Sequence, residues 1–170
     1  MKKLLFALIV SVGLASCSDQ QPNRYSGNQL EFKLFQSSTF DFQGNLEVRE
    51  LTGGNLEFTL KMNGAKSNSG YSYPAHLHFG SYDEADTPIA HLLNPISAQN
   101  LESVTVLGAL SDGTRLTFEQ IKSFDGHVKI HLANEGPDYG VILVAGNVGA
   151  NFNAESGFDP SKIAICGKGF

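Results

Sequence analysis

Two histidines stand one residue apart in Tyr73-Pro74-Ala75-His76-Leu77-His78-Phe79-Gly80. They alternate with Ala75, Leu77 and Phe79, which is the two-residue period of a strand. One face of such a strand carries both imidazoles and the other carries the apolar side chains. At a rise of ~3.3 Å per residue the two Cβ atoms lie about 7 Å apart. Two imidazoles at that spacing can converge on one metal ion. A second set occurs in His127-Val128-Lys129-Ile130-His131-Leu132. There Val128, Ile130 and Leu132 take the core face, so both histidines point the other way. His127 and His131 are about 13 Å apart along the strand, too far to share an ion. His127 follows Gly126 near the strand end and is the weaker candidate of the two. The fifth histidine, His91, lies in the apolar segment Pro88 to Leu93, before Asn94-Pro95.

All-imidazole sites suit copper, zinc or nickel rather than calcium or magnesium. No acidic cluster has the EF-hand pattern, and the cysteines do not have zinc-finger spacing. Nothing sets a Ser or Cys nucleophile beside a His and an acid. A single strand histidine reads as a hydrogen-bonded or solvated residue. The His-x-His pair is what points to a metal.

The elements that position these residues begin after a short leader. Met1-Lys2-Lys3 is basic and Leu4 to Leu14 is apolar, too short to span a bilayer but suited to a signal peptide. It ends in Leu14-Ala15-Ser16-Cys17, which resembles the bacterial lipobox. That resemblance implies cleavage before Cys17, its lipidation, and a signal peptide over residues 1–16. Ser18-Asp19 is compatible with sorting to the outer membrane, so the expected location is the bacterial cell envelope. Without Lys2 and Lys3 the chain keeps 10 basic residues against 17 acidic ones, a net charge of −7. Such a chain is not drawn to nucleic acid or to anionic lipid, so acyl chains rather than a basic patch would hold it at a membrane. With Cys17 used for lipid, Cys166 has no intramolecular partner and reads as a small apolar group.

Residues 17–29 read as a polar tether and residues 30–170 as one folded domain. Strands are expected at Leu30–Phe35, Leu46–Leu51, Leu56–Met62, around His76 and His78, at Pro88–Leu93, Ser103–Leu107 and His127–Leu132, with a fully buried one at Val141–Ala145. Thr52-Gly53-Gly54-Asn55 marks a hairpin turn. Thr117 with Gln120 has the capping-box spacing and predicts a short helix to Phe124. Asn147 to Asn151 reads as a loop and Lys162–Cys166 as a last strand. Many short strands with turn signals between them predict an all-β, Greek-key or immunoglobulin-like sandwich with one short helix.

The segments Pro74-Ala75-His76-Leu77-His78-Phe79, Pro88-Ile89-Ala90, Asp112 to Ile121, His127 to His131 and Val144 to Asn151 resemble, in that order, bacterial CHRD (chordin-type) domain lipoproteins. The resemblance covers most of residues 30–151 and implies an immunoglobulin-like sandwich. A more distant resemblance is to copper/zinc superoxide dismutase, a Greek-key barrel with a His-x-His strand, a loop histidine before Asn-Pro and a later strand histidine. It implies copper ligands at His76, His78, His91 and His131, and Lys162 in the place of an active-site arginine. The sequence departs from that family in lacking its zinc histidines and the partner of its disulfide cysteine. The expectation is therefore a lipid-anchored module that binds copper or another imidazole-preferring metal without turnover. The alternatives are a copper-only dismutase-like enzyme and a metal-free interaction module.

Overall fold

A computed structural model describes residues 23–151 and 157–165. The signal segment, Cys17 and Cys166 lie outside the described residues. Eight strands form one antiparallel sheet in the order β5-β4-β7-β8-β1-β2-β3-β6. They are β1 (Tyr25–Gln36), β2 (Gln43–Leu51), β3 (Leu56–Asn63), β4 (Ser72–Phe79), β5 (Ile89–Ser97), β6 (Glu102–Val106), β7 (Asp125–His131) and β8 (Ile142–Gly149). The sheet folds over on itself because β1 serves both halves. Its residues Leu30–Leu34 pair with β2, while Phe35 and Gln36 pair with β8. The two edge strands then meet through Asn94, whose backbone N–H donates to Thr105 Oγ1 at 2.8 Å and whose side chain donates to Val104 O at 2.6 Å. The result is the all-β, nearly closed sandwich or barrel that the strand pattern predicts.

The helix α1 (Phe118–Lys122) forms where the capping box predicts it. Thr117 caps the Gln120 N–H, and the Gln120 side chain accepts from the Thr117 N–H at 2.9 Å. Phe118 and Ile121 are its buried residues and join the core. That core lies between the half containing Leu46, Val48, Phe58 and Leu60 and the half containing Leu77, Val128, Ile130 and Val144.

Three expectations are corrected. The strand β1 starts at Tyr25, so the polar tether cannot extend to residue 29. Alternation is lost there because a register shift falls between Tyr25 and Gln29, at Gly27 with φ 102°. Tyr25 is anchored by donating to Glu57 Oε1 at 2.6 Å and by the Arg49 guanidinium over its ring at 4.1 Å. Asn147-Val148-Gly149 is strand, not loop, and continues β8. Its glycines serve close backbone contact: a Cβ on Gly146 would lie 2.4 Å from Lys33 O. Lys162 closes a 3₁₀ turn, Pro160–Lys162, rather than opening a strand, because the Asp159 side chain accepts from the Ser161 N–H at 3.0 Å.

Gly146→Ala should cost about 1–3 kcal/mol, since backbone on β1 must yield to the added methyl. Gly53→Ala, with nothing within 4 Å of its Cβ position, should stay within about 0.5 kcal/mol. Urea unfolding midpoints check this, and equal midpoints for the two variants would contradict the close approach of β1 and β8.

Candidate metal centre

The pairing of β4 with β7 sets Ala75 opposite Ile130, His76 opposite Lys129, Leu77 opposite Val128 and His78 opposite His127. Directly opposed residues share a face. Leu77, Val128 and Ile130 therefore fill the core, and His76, His78, His127, Lys129 and His131 all project from the other side. This is the face the alternation predicts. Its surroundings differ from a solvated surface: His78, His127 and His131 are 0 % exposed, His76 5 % and Lys129 1 %.

A second layer covers them. Tyr82 donates its backbone N–H to Asn147 Oδ1 at 2.9 Å, which ties the segment after β4 to β8. Tyr139, in the 3₁₀ turn Pro137–Gly140, stacks on His131 with ring centroids 4.8 Å apart. The segment 157–165 lies alongside: Ala164 N–H donates to Tyr82 O at 3.1 Å, and Lys129 Nζ donates to Ala164 O at 2.6 Å. Phe158 packs on both Phe35 and Tyr82, each at 4.7 Å.

His76, His78 and His131 offer ligand atoms that lie within 4.8 Å of one another. His76 is 5.8 Å from His78 and 5.0 Å from His131 between ring centroids. Three nitrogens bound at about 2.0–2.1 Å to one tetrahedral ion sit about 3.3 Å apart, so binding asks each pair to close by about 1.5 Å at most. Backbone carbonyls orient the rings. His78 Nδ1 is 3.2 Å from Thr87 O, His131 Nδ1 is 2.9 Å from Tyr139 O, and His127 Nδ1 is 2.7 Å from Gly80 O. A carbonyl only accepts, so each Nδ1 carries the proton and each Nε2 keeps its lone pair. This is the support that metal-ligating histidines commonly have.

The imidazoles are held neutral. Burial lowers His76, His78 and His127 from 6.5 to about 3, and it lowers His131 as well. The Lys129 charge adds to this for His78, His127 and His131, and protonation of one ring opposes that of its neighbour, as for His76 with His131 and His78 with His127. Neutral imidazole is the form that binds metal. The buried cluster of His76, His78 and His131 can thus hold a metal ion, and its all-nitrogen donors select the copper, zinc and nickel class over calcium or magnesium.

The other predicted residues stand apart. His91 on β5 is opposite Leu77, which puts it on the core-side face rather than with His76 and His78. Its Nδ1 lies 3.2 Å from Ala109 O. Lys162 is exposed, with Nζ 3.9 Å from Asp159 Oδ2. Two residues escaped the sequence reading. Lys129 has the same parity as His127 and His131, and that signal was sufficient to find it. Tyr139 belongs to an irregular turn with no periodicity to mark it. No family model, curated protein or solved structure matches the chain, so the site is argued from its geometry.

The lowered imidazole values make stability depend on pH. Between about 3 and 6.5 the unfolded chain takes up protons that the folded chain refuses. The contribution is complete above the ordinary value of 6.5 and is lost as pH falls toward 3. Denaturant unfolding of the metal-free protein should show stability declining from pH 7 to pH 4. Replacing His76 and His78 by Gln should flatten that decline, and a stability independent of pH over this range would contradict buried neutral imidazoles.

Proposed function

We propose that this chain is a lipid-anchored module of the bacterial cell envelope that binds copper, or another imidazole-preferring metal, and does not turn over a substrate. The convergence of His76, His78 and His131 within 4.8 Å is the observation that carries the metal. The basic and apolar leader ending at Cys17 supports the anchor, as does the resemblance to CHRD-domain lipoproteins. Burial supports binding over catalysis. The three imidazoles are buried, and Tyr139 stacks on His131, so a substrate would have to displace covering groups to reach the ion. A copper-only dismutase-like enzyme calls on His91 as a fourth ligand and on Lys162 as an anion guide. His91 has the Leu77 parity and Lys162 pairs with Asp159, which favours the binding module.

Calorimetric titration of the mature protein with copper should show one ion bound per chain, with a rise in melting temperature that a chelator reverses. His76→Ala combined with His78→Ala should abolish this binding, whereas His91→Ala should leave it unchanged. Unchanged binding in the double variant would reject the assignment. Copper-loaded protein that dismutes superoxide faster than free copper would favour the enzyme instead.

A further inference from the structure

The strands β1 to β3 turn Glu31, Lys33, Asn45, Glu47, Arg49 and Lys61 away from the core, as a water-facing sheet surface does. The neighbouring strand β6 departs from this. After Glu102 its outward residues are Val104 and Val106, 42 % and 48 % exposed. The other edge strand, β5, meets β6 through the bonds of Asn94 to Val104 and Thr105. Two residues before Asn94 stands Leu92, 61 % exposed. His91 Nδ1 lies 3.2 Å from Ala109 O, so β5 runs antiparallel past β6 and Leu92 stands toward the Val106 end of the seam. Of the six large apolar side chains left exposed among the described residues, three thus share one seam. A single exposed apolar side chain needs no explanation, whereas a set gathered in one place marks an interaction surface.

We infer that the seam of Leu92, Val104 and Val106 rests on the lipid bilayer to which the chain is anchored. The inference rests on the lipid-anchored reading above and deepens it by giving the domain an orientation. The place where the chain enters the fold carries it. Glu57 on β3 is directly opposite Val106 on β6 and so shares its face. Arg24 pairs with that same Glu57 carboxylate, and Tyr25 donates to its Oε1 at 2.6 Å. The first residues of the fold therefore lie beside Val106, and the carboxylate there is already neutralised. From Cys17 to Arg24 is seven residues, which reach at most about 25 Å whatever their course. Acyl chains on Cys17 thus hold this end of the sheet near the bilayer. Roughly half of each seam side chain is already covered by the fold. The apolar area left is too small to recruit a chain from solution, but it can orient one that the anchor already keeps at the surface.

The chain has no tryptophan, so Val106→Trp and Phe40→Trp each introduce a single fluorescent reporter. Phe40 is also exposed and lies in the connection from β1 to β2. That connection joins the sheet beside Asn63, six residues along β3 from Glu57, or about 20 Å. The mature acylated protein is reconstituted in vesicles of phosphatidylethanolamine and phosphatidylglycerol with brominated acyl chains. Emission from Val106→Trp should shift to the blue and be quenched by the brominated lipid, and that from Phe40→Trp should not. Adding Val104→Asp to Val106→Trp should restore the emission. Val104→Trp takes the place of Val106→Trp if circular dichroism shows that variant unfolded. Equal quenching at the two ends, or none at the seam of vesicle-bound protein, overturns the inference and leaves the anchor standing. A blue shift without bromine quenching, with dimers by light scattering, gives the seam to a second copy of the chain and also overturns it. Mature protein whose Cys17 carries no acyl chain by mass spectrometry overturns both.

Discussion

The antiparallel register of β4 on β7 decides where every imidazole goes. It sets His78 against His127 and His76 against Lys129, and leaves His131 diagonal to His76. A slip of one residue would turn the histidines into the core and expose Leu77 and Val128. The register is therefore held by the hydrophobic side of the same strands. Ala75, Leu77, Val128 and Ile130 are each at most 2 % exposed. At about 1.5–3 kcal/mol per large buried side chain, the apolar face outweighs any preference of the polar one. The core thus positions the site without touching it.

The polar face then has to be reconciled with burial. Each neutral imidazole that loses water must recover a partner. The chain supplies carbonyls from irregular backbone: Gly80 and Thr87 in the connection after β4, and Tyr139 in the turn before β8. Strands cannot provide these, because their carbonyls are spent on the ladder. The division of labour follows from geometry. Rigid strands fix the ring positions, and loops fix ring orientation and tautomer. The cover is itself pinned to the site, through Lys129 to Ala164 and Asn147 to Tyr82.

What could be read from the sequence follows from which interactions are local. Period-two alternation revealed most strands and gave the correct parity for His76, His78, His127 and His131. The capping box located α1, since its bonds close within three residues. Alternation assigns no face to His91, because Ile89-Ala90-His91-Leu92-Leu93 is apolar at almost every position, and the register shift in β4–β5 at Leu77/His78 is invisible in sequence. The turn chemistry of Asn147, Gly149 and Asn151 reads as a loop at the end of β8. Asn147 instead serves a tertiary bond to Tyr82, and Gly149 a contact with Phe124, whose carbonyl a Cβ there would meet at 2.1 Å. His127 was set aside on its distance to His131 along one strand. Across the β4–β7 pair it stacks on His78, and it stays outside the three histidines whose ligand atoms converge.

The composition of the covered face bears on why it is polar at all. A domain needing only a second hydrophobic layer would place Val or Leu at these positions, and well-packed apolar residues often match or exceed buried polar groups in stability. Here four imidazoles and an ammonium occupy the space instead. The lowered imidazole values mean that the arrangement gives up stability in acid that an apolar layer would keep. Specificity of strand pairing does not require it, since the core side already fixes the register. The remaining use of neutral imidazoles with oriented lone pairs is to donate them. A buried polar cluster of this kind, with three of its rings oriented by backbone carbonyls, can hold a ligand, and a nitrogen-only donor set suits a borderline metal ion.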